Sequence, residues 1–457
     1  MRRLLLIAAP IVAVLTLMIG MRIGAGEAVH SAAIFAAPPT QGRVALQILT
    51  YYEERSVRET VAMKDLTLVA TSNGGKKEAR WKGDSNEDGI AEAVLLFDID
   101  PVTTDGDLRD IQVELRVANE KEPLAAGAIS FTTTAWGRSD SSRAAARPAK
   151  RVGPIPIDVL VEGERLVPGF ETSVWIHAPG ATAIDIEPEP GLEVQKPHLT
   201  PCDAQGWAEA VVIARAHVVG FSVKTKTEAG ESEWYGPLPV APGAFFVGMP
   251  RVVPEGKPTD VVLVAPNPRK VVYAEVDDTN GRAYAAALPV ALDPGDSIPR
   301  AKMTIPPLSK GLHWLVVSGE PRGAEKLAGA AIAKPFKVGA PQDACVVGPW
   351  LAERPAEGFP RTLALDGMAV RGVTNAKRRR IGLLIGFVSL AAAAILDAIL
   401  MIAMAREARA VTLLADLAEG EEPKAITAKP PGGSILVAIL VAALGFAFLA
   451  VLLFAKG

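Results

Sequence analysis

The chain has 457 residues, of which 49% are hydrophobic, 5% are aromatic and 22% are charged. This length exceeds one ordinary core, and the apolar fraction indicates several modules together with segments that sit in lipid. The formal net charge of −3 gives no basic footprint for nucleic acid, so no nucleic-acid partner is predicted. Two cysteines exclude a disulfide-rich scaffold and a four-cysteine zinc module.

The N-terminus has the pattern of an export signal. An uncharged run of 18 residues, Leu4 to Met21, follows Arg2 and Arg3. The run is longer than the roughly 7–15 apolar residues of a typical cleaved signal. Residues 1–34 are therefore predicted to be a signal peptide or an uncleaved signal anchor, and both alternatives stay open.

Residues 42–339 alternate short apolar runs with turn residues, as in VALQILTYY, TSVWIHA and KVVYAEV. Runs of this length without helical periodicity predict an all-β fold, and tandem immunoglobulin-like β-sandwiches are its natural form. A Ser-, Ala-, Arg- and Pro-rich stretch indicates a linker at 135–156. The predicted sandwiches are then residues 42–134, 157–242 and 243–339.

Related turns recur in the three predicted sandwiches. Asn86 to Gly89 leads into IAEAVLLF, Asp203 to Gly206 leads into WAEAVVIA, and a weaker copy at Asp278 to Gly281 leads into RAYAAAL. In each copy the glycine is expected to supply the positive φ that a tight turn before a strand requires.

These turns, the strand after Pro168-Gly169 and the GLHWLVV segment at Gly311 resemble the macroglobulin-type and other bacterial immunoglobulin-like sandwiches of cell-envelope proteins. The resemblance implies the fold. Macroglobulin protease traps carry a Cys-Gly-Glu-Gln thioester, whereas Cys202 precedes Asp203 and Cys345 precedes Val346. Protease trapping is therefore not implied.

One segment has the spacing of a calcium loop. Asp84, Asn86 and Asp88 stand at alternate positions before Gly89, as oxygen ligands of a hard cation would. Leu95 occupies the twelfth position, where such a loop needs an acid. A polar hairpin turn is the preferred interpretation, with calcium as the alternative and no other cofactor predicted.

The C-terminal part is predicted to be a membrane hairpin. Two apolar runs of 25 and 20 residues, at 381–405 and 435–454, are each long enough to cross a bilayer as a helix. The intervening polar segment, 406–433, would be a cytoplasmic loop. A Pro-rich stalk with a basic end, 340–380, would join the hairpin to the third sandwich.

Charged residues near these spans raise two questions. The basic cluster Lys377, Arg378, Arg379 and Arg380 would lie on the outer face, against the positive-inside rule. Export is still favoured, because long domains translocate largely regardless of charge. The cluster is interpreted as a juxtamembrane anchor, with lipid or partner binding as the alternative. Asp397 lies inside the first of these spans, where an acid either serves assembly or a proton relay or is locally hydrated.

The two cysteines lie in different predicted segments of the chain. Cys202 and Cys345 would close a disulfide between the second sandwich and the stalk, or stay unpaired, and the sequence leaves both open. No metalloprotease, nucleophile-elbow or phosphate-loop motif is present, so no enzyme is predicted.

These patterns predict a protein of the bacterial inner membrane whose main body is extracytoplasmic. We expect a non-catalytic scaffold that presents immunoglobulin-like domains to another envelope or membrane protein. The alternatives are a subunit of a transport or signalling complex that works through the hairpin with Asp397, and a glycan-binding envelope protein.

Overall fold

The computed structural model separates the chain into a larger unit, His30–Tyr52 with Glu59–Gly367, and a smaller unit, Met1–Val29, Glu53–Arg58 and Met368–Gly457. The described residues are 18, 29–54, 57–72, 77–98, 108, 110–118, 122–131, 146–228, 230–321, 330–355, 361–367, 380–388 and a few helical positions between 391 and 410.

In the residues that the structure describes, the larger unit, called the body below, consists of β-strands and one short helix, which confirms the predicted all-β class. Its strands follow the alternation of the sequence: in Leu66–Ser72 the first, third and fifth side chains are buried and those between are partly exposed. Three separate hydrophobic cores form in this way, each enclosed between two sheets. The body therefore contains three β-sandwiches.

The first sandwich packs a five-stranded sheet of order β26-β1-β2-β3, in which β6 also pairs with β2, on a sheet of order β5-β4-β7-β8. Its strands are β1 (Val29–Ala36), β2 (Arg43–Glu54), β3 (Val57–Thr60), β4 (Leu66–Ser72), β5 (Glu78–Gly83), β6 (Ile90–Leu96), β7 (Asp110–Val117), β8 (Ala125–Ser130) and β26 (Thr362–Asp366).

The second sandwich packs the order β10-β11-β15-β13 on the order β14-β12-β16-β17-β9. Its strands are β9 (Lys150–Val152), β10 (Asp158–Val161), β11 (Glu171–His177), β12 (Ala183–Pro188), β13 (Leu192–Val194), β14 (His198–Leu199), β15 (Trp207–Ala214), β16 (Val219–Thr227) and β17 (Gly230–Leu238).

The third sandwich packs the order β18-β20-β23 on the order β19-β25-β24-β21-β22. Its strands are β18 (Phe246–Gly248), β19 (Val252–Val253), β20 (Thr259–Val264), β21 (Val271–Asp278), β22 (Arg282–Pro289), β23 (Arg300–Ile305), β24 (Gly311–Ser318) and β25 (Ile332–Val338). Helix α1 (Ala344–Ala352) follows β25.

The structure differs from the sequence-based division in three places. β1 begins before residue 42 and pairs with β26, which lies inside the segment predicted to be a stalk. The same segment contains helix α1. Within the segment predicted to be a linker, β9 is fully exposed and pairs with β17. Short edge strands are held through backbone hydrogen bonds and need no apolar alternation, so no sequence pattern predicts them.

The turn glycines also differ in one copy. Gly89 and Gly206 have φ of 76° and 90°, in agreement with the predicted tight turns. Gly281 does not have a positive φ, contrary to the prediction. A Cβ at this position would lie 2.3 Å from the carbonyl oxygen of Pro38, so glycine is needed there for close approach of the first sandwich.

Little of the smaller unit is described. Residues 380–388 are helical, and Ile381, Leu384, Phe387 and Val388 are exposed. None of the described helices combines the length and the apolar character needed to cross a bilayer. The predicted segment 435–454 lies outside the described residues, as do almost all of the run Leu4 to Met21 and part of 381–405.

Candidate functional site

The segment after the third sandwich runs back over the body. We call residues 340–355 and 361–367 the strap. Asp343 caps helix α1 by accepting a hydrogen bond from the Cys345 amide at 2.8 Å. Cys345 itself forms a disulfide with Cys202 of the second sandwich, with Cα atoms 6.0 Å apart. The first part of the strap is thus covalently joined to the second sandwich.

Helix α1 also packs on that sandwich. Ala352 is buried with Leu160, Trp175 and Trp207 in a small apolar cluster. Gly348 lies against the ring of Trp175, and a Cβ there would come within 1.9 Å of it. Only a residue without a side chain allows this approach, so the helix is fitted to the tryptophan face.

The strap then contacts the third sandwich. The indole nitrogen of Trp314 donates a hydrogen bond to the carbonyl oxygen of Pro355 at 2.9 Å. On the strap itself, Trp350 receives cationic groups of Lys337 and Arg354 over its ring, at 5.1 and 4.9 Å from the centroid. The strap is therefore held by both the second and the third sandwich.

Arg361 carries the strap into the junction of the first and third sandwiches. Its side chain is buried and lies 3.3 Å from the Glu92 carboxylate of the first sandwich. It also pairs with Glu275 of the third sandwich and donates to the Pro321 carbonyl oxygen at 2.9 Å. Burial lowers the pKa of Arg361, and the charge of Glu92 acts against that shift.

Further buried polar groups complete this junction, which we call the buried charge cluster. Arg282 lies 2.7 Å from Glu275 and 3.8 Å from Asp277. Gln47 donates to Glu92 at 2.6 Å. Buried charges persist only when they are paired, so removing one member leaves its partners uncompensated.

The turn between β1 and β2 docks on the third sandwich beside this cluster. Thr40 donates to Asp278 at 2.6 Å, and Gln41 lies 3.0 Å from both Asp278 and the Nε2 atom of His313. His313 is buried and stacks on Phe336. Burial lowers the pKa of His313, while the charge of Asp278 acts in the opposite direction.

The predicted calcium residues form a turn at the same junction. Asp84 accepts from the Asp65 amide, and the Asn86 oxygen accepts from the amides of Asp88 and Ile90. The Asn86 amide group donates to the Tyr273 hydroxyl of the third sandwich at 2.9 Å. No group of three or more His, Cys, Asp or Glu residues in the described ranges is arranged to hold a metal ion.

A cleft of about 320 Å³ lies where the second and third sandwiches meet. Its walls include the apolar side chains of Phe246 and Met249, the cationic side chains of Arg165, Arg251 and Lys334, and the carboxylates of Glu162 and Glu171. Among the described residues, no hydrogen bond or ion pair engages Arg165. The cleft thus offers an apolar wall and one available guanidinium, a combination suited to an acidic peptide side chain or carboxylate.

The inner cations of the cleft are already engaged. Arg251 donates to Glu162 at 2.8 Å and to Glu209 at 2.5 Å. Burial would lower the pKa of Arg251, but these carboxylates outweigh it and raise the pKa. The Lys334 ammonium donates to the Val247 carbonyl oxygen at 3.3 Å, and burial lowers the pKa of Lys334.

The structure thus brings together Cys202 and Cys345, the one predicted pair. It places only one of the membrane-related residues. Asp397, Lys377, Arg378 and Arg379 lie outside the described residues, and Arg380 is helical and exposed. Sequence reasoning missed Arg361 and Glu275. The acids of the apolar strand KVVYAEVDD, at Glu275, Asp277 and Asp278, were the available signal, since a strand face that is buried normally excludes them.

Comparison with known proteins gives no family. No protein-family profile matches the chain, and no curated protein matches it. A red sea bream transglutaminase structure aligns with 42% of this chain and 32% of its own, at 12% identity and a TM-score of 0.17. The titin Ig tandem A164-A165 aligns with 41% of this chain and 97% of its own, at 9% identity and a TM-score of 0.14. Such low scores carry no argument about function.

Proposed function

We propose that the protein is a membrane-anchored, extracytoplasmic scaffold of three immunoglobulin-like sandwiches that binds another envelope or membrane protein without catalysing a reaction. The observation that carries this proposal is the strap. One segment contacts all three sandwiches, through a disulfide, a helix, a buried arginine and a strand. Such fastening suits a rigid binding platform, which keeps its surfaces at fixed positions when a partner docks.

The disulfide favours an exported body. Disulfides persist in oxidising compartments and are rare in the cytosol. The bond between Cys202 and Cys345 joins residues separated by 143 positions and closes the strap on the second sandwich. This supports the sequence-based orientation, with the body outside the inner membrane and the apolar runs as anchors. The macroglobulin-type resemblance stays a prediction from turn and strand patterns.

The cleft between the second and third sandwiches is the proposed partner site. It is concave, partly apolar and carries Arg165 at its wall. These features fit an acidic segment of a partner protein, in which a carboxylate pairs with the guanidinium and neighbouring apolar groups contact Phe246 and Met249.

Two other functions compete with this proposal. A subunit working through the hairpin would require Asp397, so Asp397→Asn would abolish function while leaving partner binding by the body intact. Glycan binding is less favoured, because an aromatic platform needs exposed rings. Of the described tryptophans, Trp175, Trp207, Trp234 and Trp314 are buried, and Trp81 and Trp350 are partly buried.

The test combines topology with crosslinking in cells. A reporter fused at Gly153 is expected outside the cytoplasm, and a cytoplasmic reporter would overturn the proposal. A photo-crosslinking residue at Thr172, which lines the same cleft and leaves Arg165 in place, should capture a specific protein that mass spectrometry identifies. The matched control places the same residue at His217, which is exposed and does not line the cleft. Equal capture at both positions would count against the cleft.

A further inference from the structure

The two connections from the body to the predicted membrane segments leave it side by side. In the pairing of β1 with β26, Ala33 lies opposite Asp366 and Ala36 lies opposite Thr362. Gly367, the last residue of the body, lies so close to Ala32 that a Cβ would be 2.9 Å from its carbonyl oxygen. The start of β1 and the end of β26 therefore share one end of the first sandwich, which we call the tether end.

The tether end is close to both predicted anchors along the chain. The seven residues 22–28 separate the run Leu4 to Met21 from β1. Even fully extended they reach at most about 30 Å. Residues 367–380 separate β26 from the span that starts at Ile381, and they reach about 50 Å at most. Two short tethers on one end limit how far that end can lie from the bilayer.

One end of the third sandwich lies beside the tether end of the first sandwich. Along β2, Arg43 pairs with Leu96 and Leu49 pairs with Ile90, so the turn before β6 lies toward the end of β2 that carries Tyr52. From that turn Glu87 pairs with Lys270 of the third sandwich at 2.7 Å. The two sandwiches thus stand side by side.

Opposite ends of the third sandwich can be assigned from its β21–β22 hairpin. Asp278 contacts Thr40, at the end of β1 away from the tethers. Lys270 lies at the other end, and the Val290 amide donates to its carbonyl oxygen at 2.9 Å. Leu292, two residues further, is 58% exposed. The hairpin therefore runs from the far end to the tether end.

The side chains at the tether end have the character of a membrane-facing surface. His30 and Tyr52 form an aromatic pair with centroids 5.7 Å apart, and Tyr52 is exposed. Leu292 adds an exposed aliphatic group, and Lys270 adds an exposed ammonium that pairs with Glu87. Tyrosine and lysine are favoured at the level of lipid headgroups. The basic cluster, Lys377 to Arg380, stands on the chain just before Ile381.

We propose that the tether end of the first and third sandwiches rests on the headgroup surface of the bilayer that holds the apolar runs, so that β1 and β21 point away from it. The surface consists of His30, Tyr52, Lys270 and Leu292. This inference rests on the membrane anchoring in the proposed function. In this arrangement the body lies directly on the lipid surface. The sequence-based expectation had instead placed three domains above a stalk.

The test measures distance to lipid in the full chain. The protein is reconstituted in nanodiscs of phosphatidylethanolamine and phosphatidylglycerol that contain a headgroup-labelled fluorescent acceptor. A donor is attached at Leu292→Cys, at the tether end, or at Asn280→Cys, at the far end of the same hairpin. Both positions are exposed, and the eight residues of β22 between them span about 26 Å.

Energy transfer from Leu292→Cys should exceed that from Asn280→Cys at least severalfold. A second donor at Glu59→Cys, beside the tether end of the first sandwich, should resemble Leu292→Cys. Equal transfer from the two hairpin positions, or stronger transfer from Asn280→Cys, would overturn the inference. It would leave the proposed function standing, whereas a cytoplasmic reporter at Gly153 or a chain that does not enter nanodiscs would defeat the anchoring itself.

Discussion

The guanidinium of Arg361 lies 3.3 Å from the carboxylate of Glu92, a residue 269 positions earlier in the chain. The pair joins the strap to the first sandwich, and Arg361 also pairs with Glu275 of the third. One side chain thereby neutralises acids from two sandwiches in a site that excludes water.

Replacing Arg361 with methionine should destabilise the body strongly. Glu92 and Glu275 would remain buried with a charge removed between them, which costs about 3–5 kcal/mol. Urea unfolding followed by tryptophan fluorescence measures the loss. Adding Glu92→Gln should restore part of it. The control Arg215→Gln breaks only an exposed pair with Glu193 and should leave the midpoint nearly unchanged. Equal midpoints for the two single variants would refute the assigned role.

The disulfide should contribute to stability in the oxidised protein. Replacing Cys202 and Cys345 with serine is expected to lower the free energy of unfolding by about 2–5 kcal/mol, because the bond restricts a long loop of the unfolded chain. Thermal melting with and without reductant provides the measurement. Reductant should lower the melting temperature of the natural protein and have no effect on the double variant. The expectation would be contradicted if reduction made the thiols titratable but left the melting temperature of the natural protein unchanged.

Gly348 should tolerate no side chain. In Gly348→Val the added carbons would meet the Trp175 ring, and relieving that contact by moving helix α1 should cost about 1–3 kcal/mol. Hydrogen exchange of residues 344–352 should accelerate in the variant. Val346→Ala, at a position of the same helix that is 62% exposed, is the matched control and should keep the natural exchange rate. Unchanged exchange in Gly348→Val would show that the helix does not depend on this contact.

Acid should weaken the junction of the first and third sandwiches through His313. Its pKa in the folded protein is lowered from 6.5 by burial, so the unfolded chain binds the proton more readily. Stability should therefore fall as pH drops below about 6.5. The groups facing the ring are Asp278, which opposes this shift, and Arg43, which reinforces it.

The His313 prediction is checked by unfolding at pH 7.5 and 5.5. His313→Gln should lose less stability between these pH values than the natural protein. His217→Gln changes an exposed histidine and should retain the natural dependence. A pH dependence that is identical in all three proteins would remove His313 from the explanation.

The sequence predicted the β-class because its signals are local. Alternation in strands such as β4 and the turn glycines Gly89 and Gly206 depend on residues a few positions apart. The strap depends on pairings between distant residues. A five-residue strand such as β26, with the sequence TLALD, has no pattern that identifies β1 as its partner. The same limit applies to Arg361, whose charge resembles any surface arginine until the acids around it are known.

The candidate site was predictable only in part. Cys202 and Cys345 were visible as a possible bridge because the chain has no other cysteines. The cleft was not visible, because Arg165, Phe246 and Lys334 come from separate strands and loops of two sandwiches. The calcium-loop spacing suggested a ligand role that the contacts of Asn86 do not support. Asn86 has the residue type of a ligand, but its oxygen binds backbone amides of its own turn.

The pairing of β1 with β26 has a consequence for biosynthesis. The first sandwich is made earliest, yet its outer sheet lacks an edge strand until residues 362–366 have been synthesised. Because synthesis runs from the N-terminus, the edge of β1 stays unpaired while the two further sandwiches are completed. Such an edge can pair with strands of other chains. Arg361 enters its buried site in the same late step. Of the three sandwiches, the one synthesised before the others is thus the last to be finished, and a holding chaperone would be needed most during that interval.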